Sequence, residues 1–213
     1  MSSDNIFRIF GIDPGSDNLG ISILDVNLIT GKVNVEHAET FTGNKMVKRW
    51  QHIADIYGNK GAKLYGQREV LRKEFVKWQP HAVVVERPFV GRFANAIIAL
   101  SECMAGIRES LICYNYNVPL DTIDPPTVKL SVGVKGNSKD KELMRVAIRT
   151  LKNATYSLSS DITTLDEHSC DAIAVAYWRY LELYGIAPVF VRAAKKGKKR
   201  GKRKKTKTPK GSN

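Results

Sequence analysis

Four side chains able to hold a cation or handle a proton stand at positions where a folded chain could gather them. Asp13 closes the apolar run I-F-R-I-F-G-I-D at the turn P-G-S, and Glu86 closes A-V-V-V-E just before R-P-F. A carboxylate at the end of a buried strand is costly to desolvate unless a cation or a hydrogen-bond donor meets it. For Asp13 an Asx-type turn opening on Pro14 and Gly15 would also explain the residue. His168 and Asp171 are three apart in H-S-C-D-A-I-A-V-A, so both project from one face of a helix that then buries Ala172, Val175 and Ala176. An Asp seated beside such an apolar stripe is most simply explained by a metal. A donor set rich in oxygen and poor in nitrogen suits Mg or Mn, and two such ions can activate water and stabilise the leaving oxygen in phosphodiester cleavage.

The elements that must position these groups follow from periodicity. The run ending at Asp13 reads as a buried strand, L-G-I-S-I-L-D-V as its hairpin partner, and V-N-V-E-H-A-E-T-F as a third strand with Val33 and Val35 on one side. From Asn44 to about Gln79 the composition turns to mixed charge, and Leu64, Leu71, Phe75 and Trp78 recur at helical spacing until Pro80. Three consecutive valines before Glu86 indicate a central strand covered on both faces. Reached through a helical crossover, it should lie parallel to the first strand, with Asp13 and Glu86 adjacent. A long helix follows, apolar around Ile97 to Ile107 over more than one stripe, which suits burial or a second copy of the chain. Val118 to Ile123 reads as a short fifth strand.

Beyond it, P-P-T-V-K-L-S-V-G-V-K-G-N-S-K-D-K reads as a helix, a Gly-punctuated loop and a new helix start capped by Asn137 or Ser138. Lys129, Lys135, Lys139 and Lys141 cluster there. Cations beside the N–H groups of a helix start suit phosphate, although ordinary solvated lysines are an equal reading. In the last helix Thr164 and Glu167 fit a capping box, which gives Glu167 a structural task and leaves His168 as the fourth ligand; Glu167 is its competitor.

A chain of 213 residues, 43% apolar, is long enough for one domain with its own core. No run is long enough to span a membrane, and the start lacks a secretory pattern, so an intracellular, cytoplasmic protein is expected. Cys103, Cys113 and Cys170 are odd in number and lack metal-ligand spacing, which fits free thiols. The net charge of +13 is lopsided: twelve Lys and Arg lie from Arg192 onward with no acidic residue among them, leaving 22 basic against 21 acidic side chains elsewhere. Residues 1–190 therefore form the expected domain and 191–213 an expected disordered basic tail, whose natural partner is a polyanion. A membrane-surface or solubilising role for the tail lacks any accompanying amphipathic pattern.

From Ile6 to Tyr184 the sequence resembles the RuvC-type Holliday junction resolvases of the RNase H-like superfamily. G-I-D-P-G-S is similar to the family's first metal motif, V-V-V-E-R-P-F to its second, T-V-K-L-S-V-G-V-K-G-N-S-K-D-K to its basic DNA-binding stretch, and H-S-C-D-A-I-A-V-A to its closing D-x-x-D-A-[LI]-A pattern. The resemblance implies an α/β fold, a mixed five-stranded sheet with helices on both faces, and a homodimer. It implies a divalent-metal endonuclease that cuts four-way DNA junctions, with Asp13, Glu86, His168 and Asp171 holding two Mg or Mn ions. Lys129 and Lys141 would contact DNA, and Phe89 would stack on a base near the branch. Three departures stand out: His168 where many relatives have Asp, a longer and more charged segment from about Asn44 to Gly66, and the tail. The last two fit a phage-type member, acting in host cytoplasm. A flap- or branch-specific or RNase H-like nuclease on the same fold is the enzymatic alternative. A branched-DNA-binding protein without catalysis would be marked by a missing carboxylate, and none of the three is missing.

Overall fold

The computed structural model describes residues 5–87, 94–138 and 140–187, with the side chains of 94–96 left aside. Phe89, Lys139 and the basic tail lie outside the described residues. Three long strands form an antiparallel meander: β1 (Ile6–Pro14), β2 (Asn18–Asn27) and β3 (Val33–Thr42). Helix α1 (Gly43–Arg49) and helix α2 (Gln51–Trp78) then carry the chain to β4 (Ala82–Glu86), which pairs in parallel with β1. α3 (Ala94–Asn115) leads to β5 (Leu120–Ile123), parallel to β4. After α4 (Pro125–Ser131) and α5 (Lys141–Arg149) comes β6 (Ala154–Tyr156), and α6 (Glu167–Tyr184) completes the described fold. The strand order is β5-β4-β1-β2-β3-β6.

Strand parity decides which residues meet which helices. In β1, Phe10 and Ile12 pack with Leu71, Phe75, Met104 and Ile107 of α2 and α3, and Phe10 and Phe75 meet edge to face with ring centroids 4.9 Å apart. The intervening Ile9, Gly11 and Asp13 point to the opposite face, where α6 lies. β4 obeys the same rule: Val83 and Val85 join the α2–α3 core, while Val84 joins the α6 core and Glu86 shares its parity. The parallel register aligns Ile12 with Val85, so one step further places Asp13 beside Glu86. The adjacency expected from a helical crossover is thus present.

The sheet has six strands where five were expected. β6 is three residues long, parallel to β3, and follows Asn153, whose φ of 59° is left-handed. A run of Ala, Thr and Tyr is too short to show alternation. β5 begins at Leu120, two residues later than expected. The segment from Asn44 is two helices, and α2 itself is broken at Gly58, whose φ is 72°. α2 ends on Gln79 in the left-handed conformation immediately before Pro80. No helix of the described residues is long and apolar enough to cross a membrane.

Candidate active site

Asp13 and Glu86 end neighbouring parallel strands, and α6 lays its first two turns across them. Such close approach needs small residues beneath the helix. A Cβ at Gly20 would stand 2.3 Å from the His168 carbonyl oxygen, and one at Gly11 would stand 2.3 Å from the Ala172 carbonyl oxygen. Between them Ser22 donates its hydroxyl to that Ala172 oxygen at 2.8 Å. The register pairs Gly11 with Ser22 and Asp13 with Gly20, so this small-residue seat lies directly beside the strand end that carries Asp13.

The start of α6 is fixed separately. Asp166 is its N-cap and accepts from the Ser169 backbone N–H at 2.9 Å, while Thr40 on β3 donates to the same carboxylate at 2.7 Å. Burial opposes the charge of Asp166, but these hydrogen bonds outweigh it and hold the carboxyl below its usual range. The capping box expected from Thr164 and Glu167 does not form. Thr164 belongs to a 3-10 turn (Ile162–Thr164) capped by Asp161, and Glu167 is the first residue of the helix. Glu167 instead pairs with Lys141 and stands 3.7 Å from His168 Nε2. The cap of α5 is likewise Asp140, which accepts from the Glu142 N–H, and neither Asn137 nor Ser138.

His168 Nδ1 lies 2.7 Å from Asp13 Oδ2, and its Nε2 faces the Asn18 side-chain nitrogen at 3.1 Å. With an amide donor on Nε2, the neutral imidazole carries its proton on Nδ1 and donates it to Asp13. The hydrogen bond to Asp13, its strongest influence, outweighs burial and raises the pKa of His168. Burial pushes the Glu86 carboxyl up to about 8, with the charges of Asp13 and Asp171 acting in the same direction. Burial and then Asp13 push Asp171 up to about 7. Lys129 opposes both shifts from nearby.

Asp171, Glu167, Lys129, Lys141 and Ser138 line one cavity of about 270 Å³. There Lys129 Nζ donates to the Ser138 carbonyl oxygen at 2.8 Å. Of the four lysines expected to face phosphate, Lys129 and Lys141 therefore border the carboxylates, Lys135 is exposed on the loop outside the cavity, and Lys139 is not described. Three contributors had no mark in the periodicity: Asn18, the Gly11–Ser22–Gly20 seat, and Gln67, which donates from α2 to the Gly15 carbonyl at 2.7 Å and pins the turn after Asp13. A glycine opposite Asp13 in an otherwise apolar strand was the available signal for the seat.

Among the described residues, no three His, Cys, Asp or Glu side chains form a ready-made cage around one point. The chemistry of the donors still fits a divalent cation. Glu86 and Asp171 are ionisable groups near a third carboxylate, held in surroundings that penalise their charge, and they make no ion pair with a basic side chain among the described residues. A cation would remove that penalty.

The sign of the resulting pH dependence is the same for the three groups whose pKa is raised, Glu86, Asp171 and His168. A carboxyl raised above its unfolded value makes the fold lose stability as pH climbs from about 4.5 toward 8. A raised histidine contributes stability below about 6.5 and loses it as pH climbs through its folded value. In chelator, the melting temperature should therefore fall between pH 5 and pH 8, and Mg or Mn should restore it at pH 8 far more than at pH 5. A thermal-unfolding series with a flat or rising profile in chelator would show that these groups do not face one another as described.

No protein-family model matches the chain. It is 27% identical over 171 residues to the crossover junction endodeoxyribonuclease RuvC of Xanthomonas campestris pv. campestris, covering 79% of this chain and 84% of that protein. To the RuvC of Carboxydothermus hydrogenoformans it is 24% identical, covering 84% and 99%. Among solved structures, Thermus thermophilus RuvC superimposes with a TM-score of 0.61 at 19% identity, covering 85% of this chain and 99% of that one. The same protein solved with a Holliday junction substrate gives 0.61 at 18% identity over the same shares. The chain is thus similar in sequence to crossover junction endodeoxyribonucleases RuvC and shares the fold of Thermus thermophilus RuvC.

Proposed function

We propose that this chain is an endonuclease that resolves four-way DNA junctions with the help of divalent metal. The observation that carries the reading is the convergence of Asp13, Glu86 and Asp171 from two adjacent strand ends and one helix, with His168 bonded to Asp13, in a chain related to crossover junction endodeoxyribonucleases. A DNA-binding protein without catalysis would have no reason to gather carboxylates that repel both one another and the phosphates of DNA. Asp13, Glu86, Asp171 and His168 would hold two Mg or Mn ions, which would supply Lewis acidity for the attacking water and the departing oxygen. Lys129 and Lys141 would fix the backbone on either side of the cut, Lys135 and Lys139 would extend that contact, and Phe89 would stack on a base at the branch. The tail would add affinity without recognising the branch.

Two symmetrical cuts require two sites, and the homodimer would form through α3. That helix buries Cys103, Met104, Ile107 and Leu111 against its own fold yet leaves Ile98 and Ile112 54% and 64% exposed. The test is a comparison of cut products from a mobile four-way junction, a flap, an RNA–DNA hybrid and linear duplex, in Mg and in Mn. Paired nicks in the junction with little cutting elsewhere are expected. Preferential cutting of the flap or the hybrid would move the chain to the other nuclease reading.

A further inference from the structure

We infer that the exposed face of α1 is a second phosphate-binding ridge, which grips the sugar-phosphate backbone of a duplex arm as it leaves the active site; this rests on the nuclease reading above. Lys45, Lys48 and Arg49 stand at i, i+3 and i+4, one face of the helix, and all three are exposed, while Gly43 and Met46 bury the opposite face. Three like charges at that spacing repel, and Lys45 lies in a first turn that has no acidic residue, the helix end where a cation is least favourable. Among the described residues none of the three forms an ion pair. Most cations of the following helix do: Lys60 with Glu102, Lys63 with Asp17, Arg68 and Arg72 with Glu109, and Lys77 with Glu74, Lys73 being the exception among the described residues. The contrast marks α1 as a surface whose counter-charges come from outside the chain.

Its position supplies the rest. α1 begins directly after Thr42, which pairs in register with Asn18, and Asn18 touches His168. The Gly43 N–H donates to the Asp17 carbonyl, tying the helix to the turn between β1 and β2. The ridge therefore sits at the catalytic end of the sheet. Arg49 is also held in place, with its guanidinium 4.9 Å from the Trp50 ring centroid, and Trp50 in turn packs against Gly66 of α2. Four residues of helix rise about 6 Å, and one DNA strand presents a phosphate every ~3.4 Å of rise, so the ridge faces about two phosphates. Its exposed residues, Asn44 among them, include no apolar side chain, which favours a solvated polyanion over a protein partner.

The test uses the full chain with Glu86→Gln, so that binding is read without cleavage. Affinity for a four-way junction is measured against salt for this protein and for the same protein with Lys45, Lys48 and Arg49 all changed to Gln. The slope of log affinity on log salt should become shallower by about 2, near 0.9 per lost contact, and affinity at fixed salt should fall at least roughly tenfold. Hydroxyl-radical footprinting should lose protection along one arm. A control with Lys32→Gln and Lys152→Gln, at exposed positions remote from this ridge, should leave the slope unchanged. An unchanged slope in the triple variant, or an equal loss per charge in the control, overturns the ridge even where the wild-type chain cuts junctions. A wild-type chain that neither binds nor cuts branched DNA overturns the nuclease reading itself, and the ridge with it.

Discussion

Glu86→Gln should abolish junction cleavage, by at least about 10³-fold, while making the metal-free protein more stable at pH 8. The two effects have one cause. Burial and the charges of Asp13 and Asp171 hold the Glu86 carboxyl near 8, so ionising it in the absence of metal costs folding free energy. An amide of the same shape carries no charge and should recover on the order of 2 kcal/mol, seen as a rise of several degrees in melting temperature in chelator. Asp171→Asn should behave alike, and Asp13→Asn should also lose cleavage, though it breaks the hydrogen bond with His168. Junction binding should survive in all three, because in the proposed reading the contacts to the backbone would come from lysines and not from these groups. A variant that cuts at close to the wild-type rate in Mg would remove its residue from the site. A Glu86→Gln protein less stable than wild type in chelator at pH 8 would show that the carboxylates do not burden the fold.

The second large effect is expected from a residue with no side chain. Gly20→Ala places a methyl 2.3 Å from the His168 carbonyl oxygen and 2.7 Å from its carbon, a clash with backbone that no rotamer change relieves. α6 must lift from the sheet at its first turn, the turn that carries His168 and precedes Asp171. Displacements of about 1 Å at reacting groups cost on the order of 10²-fold in rate, and overpacking of this kind costs about 1–3 kcal/mol in stability. Gly11→Ala meets the helix at Ala172 and should lower stability comparably. Cleavage per folded molecule should suffer more from Gly20→Ala, whose methyl strikes His168 itself. Melting curves and single-turnover cleavage on both variants separate the two effects. A Gly20→Ala enzyme with wild-type stability and rate would mean that α6 does not rest on the sheet as described.

How far this site could be read from sequence depends on the range of the interactions that make it. Asp13 and Glu86 were legible because each ends a strongly apolar run, and burial of a strand leaves a pattern in its own residues. Their adjacency followed from the parallel crossover, a rule of chain topology. The fourth group was harder. Thr164 and Glu167 match a capping box letter for letter, but Asp166 competes for the same helix start and wins, because Thr40 on β3 reaches its carboxylate as well. That partner lies 126 positions away in sequence, beyond any local pattern. The consequence reaches Glu167, which is turned toward Lys141 and the cavity and not toward the backbone. β6 was missed for a different reason: its three residues are held by β3 and hardly by their own composition.

The alternation of β1, Phe10 and Ile12 toward one helical layer and Gly11 and Asp13 toward the other, also divides the molecule for evolution. The sheet acts as insulation. Substitutions among Leu71, Phe75, Met104 and Leu111 alter a core on the far face of the sheet from the carboxylates and His168, so that layer is freer to drift, lengthen or acquire new surfaces, provided Gln67 keeps its hold on the Gly15 carbonyl. The layer under α6 has no such freedom, since its fit is set by backbone against backbone. Divergence among relatives of this chain should accordingly concentrate on the α2–α3 side, which is where its own charged segment from Asn44 to Gly66 is found.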